Sequence, residues 1–310
     1  MSTVTTGTGS PKRRLGDLVF ANLTRAAGLT ILIALAGVGI FLTVEGIPAF
    51  GAGPDDLKGH SNLLTYVAPL VFGTLLAAVI ALLIAVPLAL GVALSISHYA
   101  PRRIAAGVGY LVDLLAAVPS VVYGLWGIAV LGPKLVPVYK WLASHFDWIP
   151  FFAGPASNTG RTIFTASIVL ALMVLPIVTA ITREIFAQTP RLNEEAALAL
   201  GATRWEMIRL AVLPYGRSGI VSAAMLGLGR ALGETMAVAM VLSASGVVTW
   251  NLISATNPST IAANIALTFA DATGTARNAL IASGLVLFLI TFVVNFSARA
   301  IVSRYEPGSK

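Results

Sequence analysis

The 310-residue chain is 57% hydrophobic and only 11% charged, whereas soluble domains carry about 25% charged residues. This composition excludes an ordinary soluble domain and predicts an all-α integral membrane protein. The formal net charge of +7 does not indicate nucleic-acid binding, because the basic residues lie at the ends of apolar runs and form no stripe with interleaved aromatic residues.

In chain order, a tail rich in Ser, Thr and Gly comes first, and we predict that residues 1–22 are disordered and cytoplasmic. Six apolar runs follow, each long enough as a helix to cross a hydrocarbon layer about 30 Å thick. The predicted spans are residues 26–44, 66–96, 107–131, 163–181, 220–247 and 279–296. Together they predict a six-span domain over residues 23–304 with a short cytoplasmic tail at 305–310.

Two connections between the runs have a composition of their own. Residues 132–160 mix aromatic and charged side chains, which predicts an external amphipathic insertion at the membrane surface. Residues 184–217 are rich in Ala, Leu, Glu and Arg and predict a helical loop. Most Lys and Arg residues fall on the side of this second loop, so we expect both termini to be cytoplasmic.

The sequence of that loop contains a recognisable pattern. From Asn193 it reads NEEAALALGATRWEMIRLAVLP, which resembles the EAA signature of ABC importer permeases, with a glycine after three residues and Leu-Pro further on. An ordinary amphipathic helix is the alternative, but the combined spacing favours docking of a partner. Ala211 departs from the isoleucine that is usual in that family. The matching residues are Glu195, Ala196, Ala197, Gly201, Leu213 and Pro214.

The resemblance implies a type I ABC importer permease with the MetI-like architecture, in a prokaryotic plasma (inner) membrane. The loop would then receive a soluble ATPase. The chain has no GxxxxGK[ST] motif, so it lacks the backbone cradle and lysine that hold ATP phosphates. We therefore expect no cofactor in this chain, with ATP and Mg bound by the partner ATPase.

A charged pair lies inside the fifth apolar run. Arg230 is about twelve residues beyond Ser218, or about 18 Å along a helix, near the middle of the bilayer. A central arginine is costly, and such residues usually face a bundle interior or a transport path. Glu234 is four residues on, so the same helix face predicts an ion pair. The alternative is that the pair only locks helix packing.

Two further segments resemble the permeases of the high-affinity phosphate ABC transporter, of the PstC type more than the PstA type. They are GLGRALGETMAV at 227–238 and LLAAVPSVVYGLWG at 114–127, and the resemblance covers roughly residues 64–304. It implies that Arg230 and Glu234 take part in phosphate passage. It also implies three partners besides phosphate and membrane lipid: a PstA-like permease, a PstB-like ATPase dimer and a PstS-like binding protein.

Other functions stay open on the sequence. A permease of the same class could move sulfate or molybdate, because the loop does not read the substrate. A secondary transporter or channel needs no ATPase, but should show acidic relays on several spans, and only Asp113 and Glu234 are available. Asp113 is better explained by packing, as a partner of Arg102 and Arg103. An enzyme has least support, since the chain has no cysteine and no metal-ligand spacing.

Overall fold

The computed structural model describes the backbone of residues 15–305, and the side chains of all of these except residues 15, 102 and 301–305. Twelve α-helices account for most of this part of the chain. In order they are α1 Leu15–Gly46, α2 Leu63–Leu94, α3 Arg102–Ala116, α4 Ser120–Trp126, α5 Gly132–His145, α6 Ile163–Ala187, α7 Arg191–Ala199, α8 Arg204–Met207, α9 Leu213–Leu232, α10 Met236–Val241, α11 Ile261–Thr268 and α12 Gly274–Tyr305.

The prediction of an all-α membrane protein is confirmed. Five stretches within the described residues are long and apolar enough to cross a membrane: Gly16–Gly51, Leu63–Tyr99, Ser120–His145, Ile163–Ala187 and Gly274–Ala300. The predicted fifth run, 220–247, is not among them, because α9 contains arginines and stops at Leu232. The predicted number of six membrane spans is compatible with the structure if α9 and α10 together form the sixth span.

The third predicted run is wrong in its position. The chain bends between α3 and α4, where Pro119 has no N–H to donate and disfavours helical geometry at Val118. The membrane-length helix starts only at Ser120 and continues through α5 to His145. The segment 132–160 therefore begins as an extension of this helix, and only its second half is a loop.

The N-terminal tail is shorter than predicted. Helix α1 already begins at Leu15, so residues 15–22 are helical and not part of a disordered tail. Residues 1–14 and 306–310 lie outside the described part of the chain.

Three wide, π-helical turns interrupt or end the long helices. They are Ser95–Tyr99, Gly127–Leu131 and Ile208–Val212, and each ends two residues before a proline, at 101, 133 and 214. Proline cannot donate a backbone hydrogen bond, and its ring pushes against the carbonyl four residues earlier. At Gly127–Leu131 and Ile208–Val212 the wider turn accommodates both effects and the helix continues, whereas the helix ends after Ser95–Tyr99.

The centre of the bundle is the contact of α2 with α6 and of α6 with α9. Helix α2 presents an alanine at every fourth position from Ala77 to Ala93, all of them buried. On α9, a Cβ at Gly227 would lie 2.6 Å from Cγ1 of Val174 on α6. Small residues at these places let the helix backbones approach closely, which is how membrane helices gain packing contacts.

A non-helical segment, residues 242–260, leads from α10 to α11, and one buried asparagine holds it in place. Asn257 is fully buried, and its Oδ1 accepts a hydrogen bond from the Ile163 N–H at 2.9 Å. The two protons on its Nδ2 are shared among the carbonyls of Arg161, Ser243 and Ser254, at 3.1–3.2 Å. Asn257 therefore joins the start of α6 to both ends of the segment, and fixes where α10 ends.

Candidate functional site

The predicted charged pair lies at a break in the helix. Helix α9 ends at Leu232, and α10 begins only at Met236. Gly229 and Gly233 lie at this break, and glycine disfavours a helix because it loses the most backbone freedom on folding. Arg230 is in the last turn of α9, and Glu234 is in the connection.

Arg230 is exposed on the surface of the single chain. Within the described residues its guanidinium has no hydrogen bond and no carboxylate within 4.0 Å. It is close enough to Tyr123 on α4 to act on that hydroxyl electrostatically. The arginine at this break therefore keeps its five N–H donors available.

Glu234 has a different environment, with only 9% of its surface exposed. Its Oε1 accepts a hydrogen bond from the Ala237 N–H at 3.1 Å, so the carboxylate caps the first turn of α10. The prediction of an ion pair between Glu234 and Arg230 is therefore wrong for this structure. The four-residue spacing assumed a continuous helix, and the break places the two side chains on separate elements.

Tyr123 was not singled out from the sequence. Its hydroxyl donates to the Leu115 carbonyl at 3.0 Å, across the bend between α3 and α4. This hydrogen bond joins the two sides of the bend. The segment LLAAVPSVVYGLWG contains Tyr123, so the resemblance of that segment was a signal that could have found it.

Asp113 pairs with a different arginine from the one expected. Its Oδ2 lies 3.5 Å from Nη2 of Arg183 on α6, and Arg103 takes no part, while the Arg102 side chain lies outside the described residues. Arg183 fits because Gly109, one turn before Asp113, has no side chain in the space that the guanidinium fills. The expected packing role is consistent with this contact.

The loop with the EAA pattern forms two short helices around a glycine turn. Helix α7 ends before Gly201, whose φ of +86° is in the left-handed region that glycine adopts easily. Thr203 then starts α8 with a capping box, in which Glu206 Oε2 accepts from the Thr203 N–H at 2.7 Å. Backbone and hydroxyl hydrogen bonds from Thr203 lower the pKa of Glu206 below its ordinary value.

Four of the six predicted coupling residues line one open groove of about 1070 Å³ between α7 and the start of α9: Ala196, Ala197, Gly201 and Pro214. Glu195 is not part of the lining and is exposed on α7. Leu213 packs instead against a buried cluster that contains Phe186 and Met207. The tertiary structure thus brings the distal Leu-Pro next to the EAA helix, which the linear spacing alone did not show.

The family model for binding-protein-dependent transport system inner membrane components matches residues 85–307, which include both the break and the loop. The chain belongs to this family. The phosphate transport system permease protein PstC 2 of Mycobacterium tuberculosis is 48% identical over 96% of this chain and 95% of its own length. PstC of Mesorhizobium japonicum is 38% identical over 94% of this chain and 91% of its own length.

Solved structures show the same fold at low sequence identity. A permease chain of a bacterial alginate ABC transporter, solved in complex with an alginate-bound periplasmic protein, matches with a TM-score of 0.63, at 18% identity over 93% of this permease and 95% of that chain. A chain of the MetNI methionine ABC transporter matches with a TM-score of 0.52, at 17% identity over 77% of this permease and 94% of that chain. The expected MetI-like architecture is confirmed, and the protein is a membrane-embedded transport subunit.

Several large apolar side chains between residues 192 and 210 of the permease are exposed, and Leu200 and Leu210 line the groove itself. Leu192 is 75% exposed, Leu200 is 89% exposed and Leu210 is 67% exposed. Trp205, at the start of α8, is 55% exposed. A cluster of exposed apolar side chains in and beside a groove is typical of a surface that another protein covers.

Proposed function

We propose that this permease is the PstC-type subunit of an ATP-driven importer of inorganic phosphate. The relatives named above support the substrate class, because they are phosphate transport system permeases and align with nearly the whole chain. Arg230 is the observation that carries the proposal from this chain's own residues. It is a guanidinium exposed on the surface of the single chain at a break in an apolar helix, with no carboxylate of the described residues within 4.0 Å.

A guanidinium in that position suits a phosphate oxyanion. Its planar fork can donate two parallel hydrogen bonds to two phosphate oxygens, and it stays charged at any physiological pH. Because Arg230 is exposed in the single chain, it would face a path formed together with a second, PstA-like permease. Glu234 contributes by capping α10, which holds the second half of the broken helix beside that arginine.

The groove between α7 and α9, with the exposed leucines around it, is the surface that we assign to a PstB-like ATPase dimer. That dimer would bind ATP and Mg, and this chain would need no cofactor. In this arrangement the α7 end of the bundle and both termini lie in the cytoplasm of a prokaryotic cell. The opposite end, with the loops at 47–62, 146–162 and 242–260, would receive phosphate from a PstS-like binding protein.

The test is transport by the purified assembly. The permease is co-expressed with its PstA-like and PstB-like partners, reconstituted in liposomes, and supplied with the PstS-like protein, labelled phosphate and ATP. We expect uptake that requires ATP and that excess unlabelled phosphate abolishes. Competition by sulfate or molybdate instead of phosphate would assign a different oxyanion, and uptake that persists without ATP or without the ATPase would contradict the importer.

A further inference from the structure

The π-helical turn Ser95–Tyr99, which continues α2 to its end, contacts α7 through a histidine and a glutamate. Helix α7 carries the EAA triplet and is called the EAA helix below. Nε2 of His98 lies 3.5 Å from Oε1 of Glu194, and the two side chains are 10% and 24% exposed. Glu194 immediately precedes the EAA triplet on α7. Of the described residues, only this pair and that of Asp113 with Arg183 bring a basic nitrogen within 4.0 Å of a carboxylate oxygen.

The contacts of His98 favour a proton on the nitrogen that faces Glu194. Ser97 Oγ lies 2.6 Å from His98 Nδ1 and 2.8 Å from the Ala93 carbonyl, and it has one proton for both. If Ser97 donates to His98, Nδ1 is an acceptor and the ring proton is on Nε2, toward Glu194. If Ser97 donates to Ala93, Nδ1 itself carries a proton and donates to Ser97. An ionised carboxylate only accepts hydrogen bonds, so the approach of Glu194 favours a proton on Nε2.

The position of each residue on its helix favours the same pairing. His98 is in the last turn at the end of α2, where the unpaired carbonyls give a partial negative charge. Glu194 is in the first turn of α7, where the unpaired N–H groups give a partial positive charge. The contact therefore joins two helix ends of opposite polarity.

The His98 side chain is held in place by packing against a buried cluster. The His98 ring meets Phe186 edge-on, with ring centroids 6.4 Å apart, and Phe186 is 1% exposed. Phe186 belongs to a buried cluster with Ala93, Met207, Ile208 and Val212, against which Ala197 of the EAA triplet also packs. His98 thus lies on α6 while its nitrogen reaches α7.

Helix α2 extends from this contact to the opposite end of the bundle. Within α2, eleven residues after its start at Leu63, the Thr74 hydroxyl accepts a hydrogen bond from the Ile261 N–H at 3.0 Å, at the start of α11. Between these points its alanine face packs along α6. A displacement of α7 that is passed to α2 can therefore reach α11 and the segment 242–260 that precedes it.

We infer that His98 is a positioning residue for energy coupling: with Glu194 it fastens the EAA helix to α2, so that movement of α7 is passed along α2. This inference rests on the proposed function, because it assumes that α7 is the helix that a partner ATPase moves. It assigns His98 no contact with phosphate or with ATP.

The test separates the N–H donor of His98 from its ring. His98→Phe keeps an aromatic ring against Phe186 but has no donor for Glu194, whereas His98→Gln keeps a donor and removes the ring. In the reconstituted importer we measure phosphate transported per ATP hydrolysed. We expect His98→Phe and Glu194→Ala each to lower this ratio about two- to fivefold, the range for one partly exposed ion pair. We expect His98→Gln to retain most of it.

The chain offers a matched control. His145 also follows a serine, with Ser144 Oγ 2.8 Å from its Nδ1, and its ring stacks on Trp141, but none of the described carboxylates pairs with it. His145→Phe should leave the ratio unchanged. The double variant His98→Phe/Glu194→Ala should be no worse than either single variant, since both remove the same contact.

The outcomes are distinct from those of the proposed function. If the unsubstituted assembly shows no ATP-dependent uptake, the proposed function fails before any variant is compared. If that assembly couples normally and His98→Phe has the same transport-to-ATP ratio, His98 has no positioning role. Equal losses in His98→Phe and His98→Gln would also overturn the inference, because the ring and not the donor would then matter.

Discussion

Arg230 and Glu234 lie on either side of a helix break: the guanidinium of Arg230 projects from the last turn of α9 and is exposed, while the carboxylate of Glu234 is buried and accepts a hydrogen bond from the Ala237 N–H of α10 at 3.1 Å. The two residues therefore have separate tasks in this structure. Arg230 offers a free positive charge, and Glu234 stabilises the turn that follows it. Their roles can be tested separately.

The first prediction concerns Arg230. Arg230→Ala should lower phosphate uptake by at least about tenfold, because two hydrogen bonds from a charged donor contribute well over 1.4 kcal/mol together. Arg230→Lys should give intermediate uptake, since it keeps the charge but loses the planar fork. Uptake by the reconstituted assembly measures both. Arg299→Ala, which removes an exposed arginine of α12, is the control, and a loss in that variant equal to Arg230→Ala would show a non-specific charge effect.

The stabilising effect of Glu234 should depend on its hydrogen-bond acceptor oxygen more than on its negative charge. Glu234→Gln keeps an acceptor for the Ala237 N–H, whereas Glu234→Leu leaves that buried donor without a partner. We expect the leucine variant to lose about 0.5–2 kcal/mol of stability, the range for a lost helix cap. Thermal unfolding of the purified assembly in detergent measures this loss. If the glutamine variant were as unstable as the leucine variant, the charge itself would be required, and capping would not explain Glu234.

Gly201 should tolerate asparagine better than alanine or valine. Its φ of +86° is strained for most side chains, although no atom within 4 Å blocks a Cβ there. A residue with a Cβ in this conformation costs about 1–2 kcal/mol, and asparagine less. We therefore expect Gly201→Val to weaken retention of the ATPase on purification, and Gly201→Asn to retain it. The reverse order would show that volume in the groove, and not backbone conformation, is what matters.

Asn257 should be among the most sensitive polar residues of the bundle. Asn257→Ala removes the partner of the Ile163 N–H and of three carbonyls. Each buried group left unsatisfied costs about 1–3 kcal/mol, so the melting temperature should fall by several degrees. Asn295→Ala, on the exposed face of α12, is the control and should melt within about a degree of the parent chain. An equal melting temperature for Asn257→Ala would mean that the segment 242–260 is held in some other way.

Much of the molecule follows from the order of residues along the chain. Apolar runs of membrane length predict α1, α2, α6 and α12, because an isolated helix satisfies its own backbone and needs no distant contact to be recognised. The EAA spacing predicts the α7 turn for the same reason, since Gly201 and its neighbours act locally. These features depend on interactions within a few residues.

The sequence by itself determined that the chain is a helical membrane permease with an arginine in one of its apolar runs. Only the tertiary structure decided that α9 breaks after Leu232, that Asp113 pairs with Arg183, and that His98 reaches Glu194. The two side-chain pairs join residues that are distant in sequence and adjacent in space. The break follows from Gly233, a residue at which a helix can either continue or end. Local propensity differs by less than about 1 kcal/mol between such choices, and packing against other helices decides among them.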